Sequence, residues 1–519
     1  METEAKRLLK RITKAKEKKM IQESELKEAY RYILPIRDTV NNKGGQTEKG
    51  HKFSSVASVA IEKYATKLQN LLTPAWEEWL KLQPGVDIPE EEAGALQENL
   101  DKVSDITFSH IHHSNFYTAE HEAFLDLGIS TGAIIVERNT RQNEPSLINC
   151  RSIPIAELVP EPSSRGSLDT VWREFKPKIN EITHIWPNAK VPPELLQKTE
   201  GAEDAEVTVY EGVVFNEKTS DYTMYVIEQG LAVILYEEQM DTSPFIIFRE
   251  SVRPGNTFGF GRGLRVIEDL KSLNKMAENQ LRSDSLRSLP IFTGVDGGFN
   301  PYTFSAQPGA MNMVESNETA NPSVRPLEVG GNYQYEEHRI DKLEGLVNEA
   351  FLANPFGAID QTPVRSATEI AAREADLFQS TAAAFGRLQT EFLEKLMRRV
   401  VDILNKEGVL PPIKVDGRQV AIKFTSPFAK MQGSEKVKNT MQFLSYIMPL
   451  GEQVIASSVN LDKVPSNIAK NMGIDKELYK DSFEVEETKE QMAAMAQQAA
   501  QAGMDIPMGG VNPQEQLPI

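Results

Sequence analysis

Cysteine is almost absent from this sequence, since Cys150 is the only one among 519 residues. A disulfide within the chain is therefore excluded, as are metal sites built from several thiolates, and we expect a reducing compartment. Long apolar runs are also missing: LAVILY and GAIIV are far shorter than the roughly 20 residues of a membrane helix. The first residues alternate Lys and Arg with isolated apolar side chains, which is not the pattern of a signal peptide. These absences predict a soluble protein.

Basic residues are in the minority, with 57 Lys and Arg against 75 Asp and Glu and a formal net charge of -18. The chain as a whole therefore does not offer a surface that grips nucleic acid along its length. The first twenty residues are an exception, with a local excess of five positive charges. We interpret them as an amphipathic helix with a solvated charged face.

A glycine-rich stretch, FGFGRG at 258–263, lies between an apolar strand pattern and a helical pattern. Its glycines, Gly259, Gly261 and Gly263, give G-x-G-x-G rather than the dinucleotide-binding G-x-G-x-x-G, and a P-loop is missing from the sequence. Alternating βαβ units, which a Rossmann site needs, are also missing. We interpret the glycines as a flexible hinge that leads into a long helix.

Four of the seven histidines lie close together, at His110, His112, His113 and His121. Their spacing does not put three ring nitrogens on one helical face, so it favours a polar helix surface over a zinc site. Paired carboxylates or a Ser/His/Asp arrangement do not rise above chance in so acidic a chain. We therefore expect no enzymatic activity, no metal and no cofactor.

Periodicity divides the chain into helical ends and a β-rich middle. Spacings of three and four residues predict helices over Thr3–Leu34, 54–72 and Glu91–Glu120. Short β-rich runs separated by turn residues predict a mainly antiparallel β domain over 132–248.

Long helices are predicted again in the second half. The first, Leu264–Leu289, is about 26 residues or roughly 40 Å long. The apolar side chains on one of its faces are Leu264, Ile267, Leu270, Leu273, Met276 and Leu281. A short β-like segment follows, then helices over Tyr335–Leu352 and Ser366–Glu407, the last of them stopped by Gly408.

The order and spacing of these segments resemble the portal, or head-to-tail connector, proteins of short-tailed double-stranded DNA bacteriophages. The resemblance extends over nearly the whole chain. It is carried by EAYRYILPIR, KYATKLQNLLTPAWEEWLKLQP, SNFYTAEHEAFLDLGISTGAIIVER, GFGRGLRVIEDLKSLNKMAE and NPFGAIDQTPVRSATEIAAREADLF.

The resemblance implies an α+β, portal-type fold with long stem and wing helices, a β-rich wing, a small β clip and a helical crown, assembled as a ring. The implied regions are 1–255 wing, 256–289 hinge and first stem helix, 290–334 clip, 335–352 second stem helix, 353–365 tunnel loop, 366–410 long wing helix, and 411–519 wing completion, crown and mobile tail. Residues implied at the DNA channel are Asn354, Pro355, Phe356, Gly357, Ala358, Ile359, Asp360, Gln361 and Arg365.

The function implied is that of a ring of about twelve copies at one capsid vertex. It would be the channel for DNA packaging and ejection and a docking platform for the terminase large subunit and then for tail proteins. The implied partners also include scaffolding, major capsid, tail adaptor and internal core proteins, with assembly in the bacterial cytoplasm and no membrane contact. An alternative is another structural virion protein, such as a tail adaptor; two long helices flanking a Pro/Gly loop favour the portal.

Overall fold

Strands occupy the middle of the chain and helices flank them in the computed structural model of the protein. The structure describes residues 2–38, 40, 52–85, 87–141, 143–161, 163, 166–197, 205–288, 290–298, 300–305, 307, 310–327, 333–353, 384–411, 415, 418, 420–450, 459 and 463–472. Residues 354–365 of the predicted tunnel loop, the predicted helix start at Ser366 and the predicted mobile tail lie outside these ranges.

Most of the strands lie between residues 131 and 249, and most of the helices lie before or after them. The α-helices are α1 Glu2–Ile33, α2 Val56–Leu72, α3 Glu90–His112, α4 Phe116–Ile129, α5 Ile179–Ile185, α6 Pro193–Gln197, α7 Arg262–Arg265, α8 Ile267–Ser288, α9 Tyr333–Ala350, α10 Glu394–Lys406, α11 Pro427–Ile447 and α12 Lys463–Met472. The strands are β1 Leu80–Pro84, β2 Thr131–Arg138, β3 Ile148–Ser152, β4 Leu158–Glu161, β5 Thr170–Phe175, β6 Val209–Asn216, β7 Asp221–Glu228, β8 Val233–Met240, β9 Phe245–Arg249, β10 Phe292–Gly294, β11 Val324–Pro326 and β12 Val420–Phe424.

The β-rich middle forms two antiparallel sheets. One has five strands in the order β4-β5-β6-β7-β8, and the other has three in the order β3-β2-β9. Strands β2 and β9 are buried over almost their whole length, which explains why AIIV and FIIF are continuous apolar runs instead of alternating ones. The prediction of a mixed fold with an antiparallel β region is confirmed.

Helix α1 packs on the five-stranded sheet. Ala5, Leu8, Ile12 and Ala15 recur at helical spacing and lie in one buried cluster with Trp172 and other sheet residues. The helix ends at Ile33, and Pro35 opens a 3-10 turn, because proline cannot donate the hydrogen bond that would continue the helix. The prediction for this segment is confirmed, and the buried face fixes which side of α1 meets solvent.

The single helix predicted over Glu91–Glu120 is wrong, because the chain breaks between α3 and α4. Asn115 accepts a hydrogen bond from the backbone N–H of Cys150 at 2.8 Å and donates one to the Cys150 carbonyl at 2.7 Å. Ser114 donates its hydroxyl proton to the Ile111 carbonyl at 2.7 Å. Short polar side chains of this kind compete with the helical backbone bonds.

Cys150 itself is buried, and burial raises the pKa of its thiol to about 12.

The predicted stem helix Leu264–Leu289 is also interrupted. It begins earlier, at Arg262, and is divided at Val266, whose backbone (φ −108°, ψ 11°) leaves the α-helical region. Helix α8 contacts α9, and β10 pairs antiparallel with β11 between them. Together, residues 262–350 form a helical hairpin with a small two-stranded tip. The returning helix agrees with its prediction to within two residues at each end.

The structure describes the predicted helix Ser366–Glu407 from residue 384 onward. It contains a π-helical turn at Gln389–Leu393 before α10, a feature that the periodicity did not predict. Gly408 has φ +71° and follows the helix end at Lys406, so the predicted glycine stop is confirmed.

The chain divides into two compact units: Met1–Asn70 with Leu82–Ile422, and Leu71–Lys81 with Lys423–Ile519. In the described part of the second unit, α11 contacts α12. There Trp79 is fully buried and its carbonyl accepts a hydrogen bond from Thr425 N at 2.9 Å, whereas Trp76 is 71% exposed. The contacts of the FGFGRG stretch and of the helical hairpin lie in the first unit.

Candidate functional site

The glycines of the FGFGRG stretch lie against the turn that joins α4 to β2. A Cβ atom on Gly259 would lie 2.2 Å from the carbonyl oxygen of Ser130, and one on Gly261 would lie 2.5 Å from the carbonyl carbon of Ile129. Gly261 has φ −73°, which any residue adopts. Glycine is therefore required at these positions for close approach of two backbones. A Cβ on Gly263 would lie 2.6 Å from Cδ1 of Ile33.

Hydrogen bonds hold the same two segments together. The Ser130 hydroxyl donates to the Gly259 carbonyl at 2.8 Å, and the Gly259 N–H donates to the Thr131 hydroxyl at 2.8 Å. The Gly261 N–H donates to the Ile129 carbonyl at 3.2 Å. In this structure Gly259 and Gly261 are thus hydrogen-bonded to the turn. The predicted role of the glycines as a flexible hinge stays a prediction.

Arg262 links both ends of the helical hairpin, the start of α7 and the end of α9, to the β-rich body. Its Nη2 lies 2.7 Å and its Nε 2.8 Å from Oε1 of Glu250, just after β9. Its Nη1 donates to the carbonyl oxygen of Ala350 at 3.0 Å, at the C-terminal end of α9, where the helix dipole favours a cation. One guanidinium therefore ties the start of α7 to the end of α9.

Two aromatic side chains lie at this ion pair: Tyr64 contacts it directly, and Phe351 packs against Tyr64. The Tyr64 hydroxyl donates to Oε2 of Glu250 at 3.1 Å, and the buried Phe351 ring packs edge-on against Tyr64 at 6.3 Å between centroids. Burial acts to lower the pKa of Arg262, but the Glu250 carboxylate more than offsets this, and the pKa is raised. Burial and the same carboxylate raise the pKa of Tyr64. The Arg262 guanidinium consequently stays charged at neutral pH.

A second buried ion pair anchors the helix that follows the predicted tunnel loop. Glu391, in the π turn, accepts hydrogen bonds from Nη2 of Arg249 at 2.8 Å and from its Nε at 3.2 Å. The neighbouring Phe392 is fully buried, with its ring centroid 4.4 Å from that of Phe248 and 5.7 Å from that of Phe124. The π turn thus presents an acid and an aromatic side by side to β9.

The structure describes the predicted stem-helix residues but not the predicted channel residues. Leu264, Leu270 and Leu273 are buried, and Ile267 and Met276 are half-buried. Leu281, predicted on the same face, is instead 54% exposed. The predicted channel residues, Asn354 to Gln361 and Arg365, lie outside the described part of the chain.

Sequence reasoning missed the charged residues that hold the hairpin and the π turn, namely Arg262, Glu250, Arg249 and Glu391. One indication was available. Arg249 and Glu250 come directly after the continuous apolar run FIIF, and two adjacent charges at the end of a buried strand need partners.

Three of the four clustered histidines have separate partners. Nδ1 of His112 pairs with the Tyr117 hydroxyl at 2.9 Å, Nδ1 of His113 with the Ser109 carbonyl at 2.7 Å, and Nδ1 of His110 accepts from Leu147 N at 3.4 Å. Within the described ranges, His, Cys, Asp and Glu side chains do not form a group of three or more that could hold a metal ion.

These contacts define an α+β protein in which one buried ion pair, and a hydrogen bond from the same arginine, fasten the two ends of a helical hairpin to a β-rich body. The chain belongs to the family of bacteriophage head-to-tail connecting proteins, whose family model matches residues 5–479. Membership implies contacts with capsid and tail components and a place in the virion, at the capsid. A search of curated protein sequences found no significant match. Among the helices that the structure describes, none combines the length and the apolar character of a membrane span.

Proposed function

We propose that the protein is the portal of a short-tailed bacteriophage: a ring of about twelve copies at one capsid vertex through which double-stranded DNA is packaged and ejected. The observation that carries the proposal is the family match over residues 5–479. Within the ring, residues 262–350 serve as stem and clip, and residues 353–365 as the tunnel loop. The protein has no catalytic activity of its own, and it docks the terminase large subunit, which hydrolyses ATP, and later the tail proteins.

The tip of the hairpin supports assembly into a ring. Several large apolar side chains there are exposed in the single chain, with Met311 at 91%, Met313 at 87% and Val295 at 60%. Apolar surface of this kind marks a protein–protein contact. A neighbouring copy that covers the tip would bury it, as the clip of a portal ring requires.

The acidic composition supports a channel role. Each phosphate neutralised by Lys or Arg adds a salt-dependent grip on DNA. A chain of net charge -18 that forms few such contacts would let the duplex slide. Scaffolding, major capsid and internal core proteins complete the proposed partners, with assembly in the bacterial cytoplasm.

Electron microscopy and light scattering of the purified protein test the proposal. We expect top views of a ring with a central hole and a mass of about twelve times 58.1 kDa. Met311→Glu with Met313→Glu should reduce ring formation, because the two charges would be desolvated in the contact. Ile185→Glu with Val409→Glu is the matched control at two isolated exposed positions. A particle of one or two chains, or a ring without a channel, would instead favour a tail adaptor or another virion protein.

The tunnel loop has its own test. We propose that residues 353–365 contact DNA in the channel and help to retain the packaged genome. Deletion of Phe356 to Gln361 should lower the fraction of filled capsids that keep their DNA. Unchanged retention in rings that still assemble would contradict this role.

A further inference from the structure

The outward side of α1 is mainly cationic over its first half, although the acidic Glu4 and Glu17 are exposed there as well. Arg7, Lys10, Lys14 and Lys18 are exposed, and none makes an ion pair with the part of the chain that the structure describes. The cations on the flanks of the helix behave differently. Arg11 pairs with Glu161 at 3.0 Å and Lys16 with Glu174 at 2.7 Å, both on the sheet beneath.

The four exposed cations form one stripe, which we call the α1 stripe. At 3.6 residues per turn, positions 7, 10, 14 and 18 fall within an arc of about 80° and extend along about 16 Å of the helix axis. The opposite face is buried in the core cluster through Leu8 and Ile12. Because that face is fixed on the sheet, the helix cannot turn the stripe inward.

The chemistry of the stripe fits the phosphate backbone of a duplex better than an acidic protein. One DNA strand presents a phosphate about every 3.4 Å of axis, so about five phosphates span the length of the stripe. Between Arg7 and Lys18, α1 exposes no large apolar side chain; the exposed Met20 and Ile21 come after it. Protein interfaces instead have apolar cores that are depleted in lysine.

We propose that the α1 stripe binds the backbone of double-stranded DNA without regard to sequence. This contact is separate from the predicted tunnel loop at 353–365 and goes beyond the proposed channel function, since it needs only the outer face of α1. It would give an otherwise acidic protein one local grip on DNA.

The test compares two variants of equal charge change in the full-length protein. The stripe variant carries Arg7→Gln, Lys10→Gln, Lys14→Gln and Lys18→Gln. The matched control carries Lys176→Gln, Lys190→Gln, Lys218→Gln and Lys436→Gln, four exposed lysines outside α1. Binding of a fluorescent duplex of about 30 base pairs, roughly 100 Å long, is measured by anisotropy between 50 and 200 mM salt.

We expect the stripe variant alone to lose affinity, at least about tenfold at the lowest salt, with a slope of log K against log salt smaller by about 3 to 4. If both variants lost the same affinity for the duplex, the effect would be due to net charge alone, and the proposal would be overturned. Binding of poly-glutamate in place of the duplex would also overturn it, in favour of an acidic protein partner. If the fourfold variant does not fold, the pairs Arg7→Gln/Lys10→Gln and Lys14→Gln/Lys18→Gln should each remove about half of the slope. Ring formation by either variant is scored separately, so that the portal proposal and the stripe are judged independently.

Discussion

The guanidinium of Arg249, at the end of β9, forms a two-point pair with the carboxylate of Glu391 in the π turn, with the two residues 142 positions apart in the sequence. The Arg249 side chain is only 5% exposed. Breaking a buried pair leaves the remaining charge uncompensated, which costs far more than the pair itself contributes.

Glu391→Ala should therefore lower the free energy of unfolding by about 3–5 kcal/mol, because Arg249 would stay buried without its carboxylate. Chemical denaturation followed by fluorescence measures the change. Glu144→Ala is the control: it breaks the pair with Arg141, whose side chain is 82% exposed, and should cost less than about 1 kcal/mol. Similar losses in the two variants would show that the Arg249 pair is not a buried anchor.

The close approach at the FGFGRG stretch predicts that even one methyl group is harmful there. Gly259→Ala would drive its Cβ into the Ser130 carbonyl at 2.2 Å, so we expect a loss of at least about 1–3 kcal/mol. Gly345→Ala, on α9, meets nothing within 4 Å and should stabilise that helix by about 0.5–1 kcal/mol. Thermal unfolding of the two variants gives the comparison, and a harmless Gly259→Ala would mean that the two segments separate easily.

The Arg262 contacts predict that the end of α9 depends on the shape of one side chain. Arg262→Lys keeps the charge, but a single ammonium cannot reproduce the forked contact with Glu250 together with the bond to the Ala350 carbonyl. Amides in the last turn of α9 should then exchange hydrogen faster, by at least about tenfold, while those of the five-stranded sheet stay unchanged. Equal protection in the variant and the parent would contradict a shared anchor.

Glu211 on β6 gives the protein a predicted pH dependence. Its side chain is 1% exposed, with Nη1 of Arg173 3.5 Å from one oxygen. Burial, assisted by the nearby Glu137 carboxylate, raises the pKa of Glu211 to about 7. The folded state therefore binds this proton more tightly than the unfolded chain, so the contribution of Glu211 to stability is present below about pH 4 and is lost as pH rises to 7.

Glu211→Gln removes that loss, since an amide stays neutral at every pH in this range. Relative to the parent, the variant should gain on the order of 2–3 kcal/mol of unfolding free energy between pH 5 and pH 8. Melting curves at both pH values measure the gain. The exposed Glu217→Gln should show no such trend, and a constant difference between Glu211→Gln and the parent would contradict the raised pKa.

The sequence was sufficient for elements whose pattern is local. Leu8 and Ile12 recur at helical spacing, the β-rich runs became strands, and Gly408 ended its helix where predicted. The breaks at Asn115 and Val266 were missed because they depend on partners or backbone angles that periodicity does not contain. The family could be recognised from the order of its segments, which needs no contact information.

The charged anchors were beyond prediction for the same reason. Glu391 lies 142 residues after Arg249, and in so acidic a chain any arginine has many candidate carboxylates. Glu391 lies in a π turn that contacts β9, a feature that the apolar periodicity does not contain. The channel residues 354–361 and Arg365 stay predictions.

Burial of Cys150 has a practical consequence for spectroscopy. A thiol whose pKa is raised to about 12 holds almost no thiolate at neutral pH, and its side chain is shielded by the protein. Maleimide reagents should therefore not label the native chain. A cysteine introduced at Gln361 could therefore be labelled without first removing any natural residue, and a fluorophore attached there would test the proposed contact of residues 353–365 with DNA.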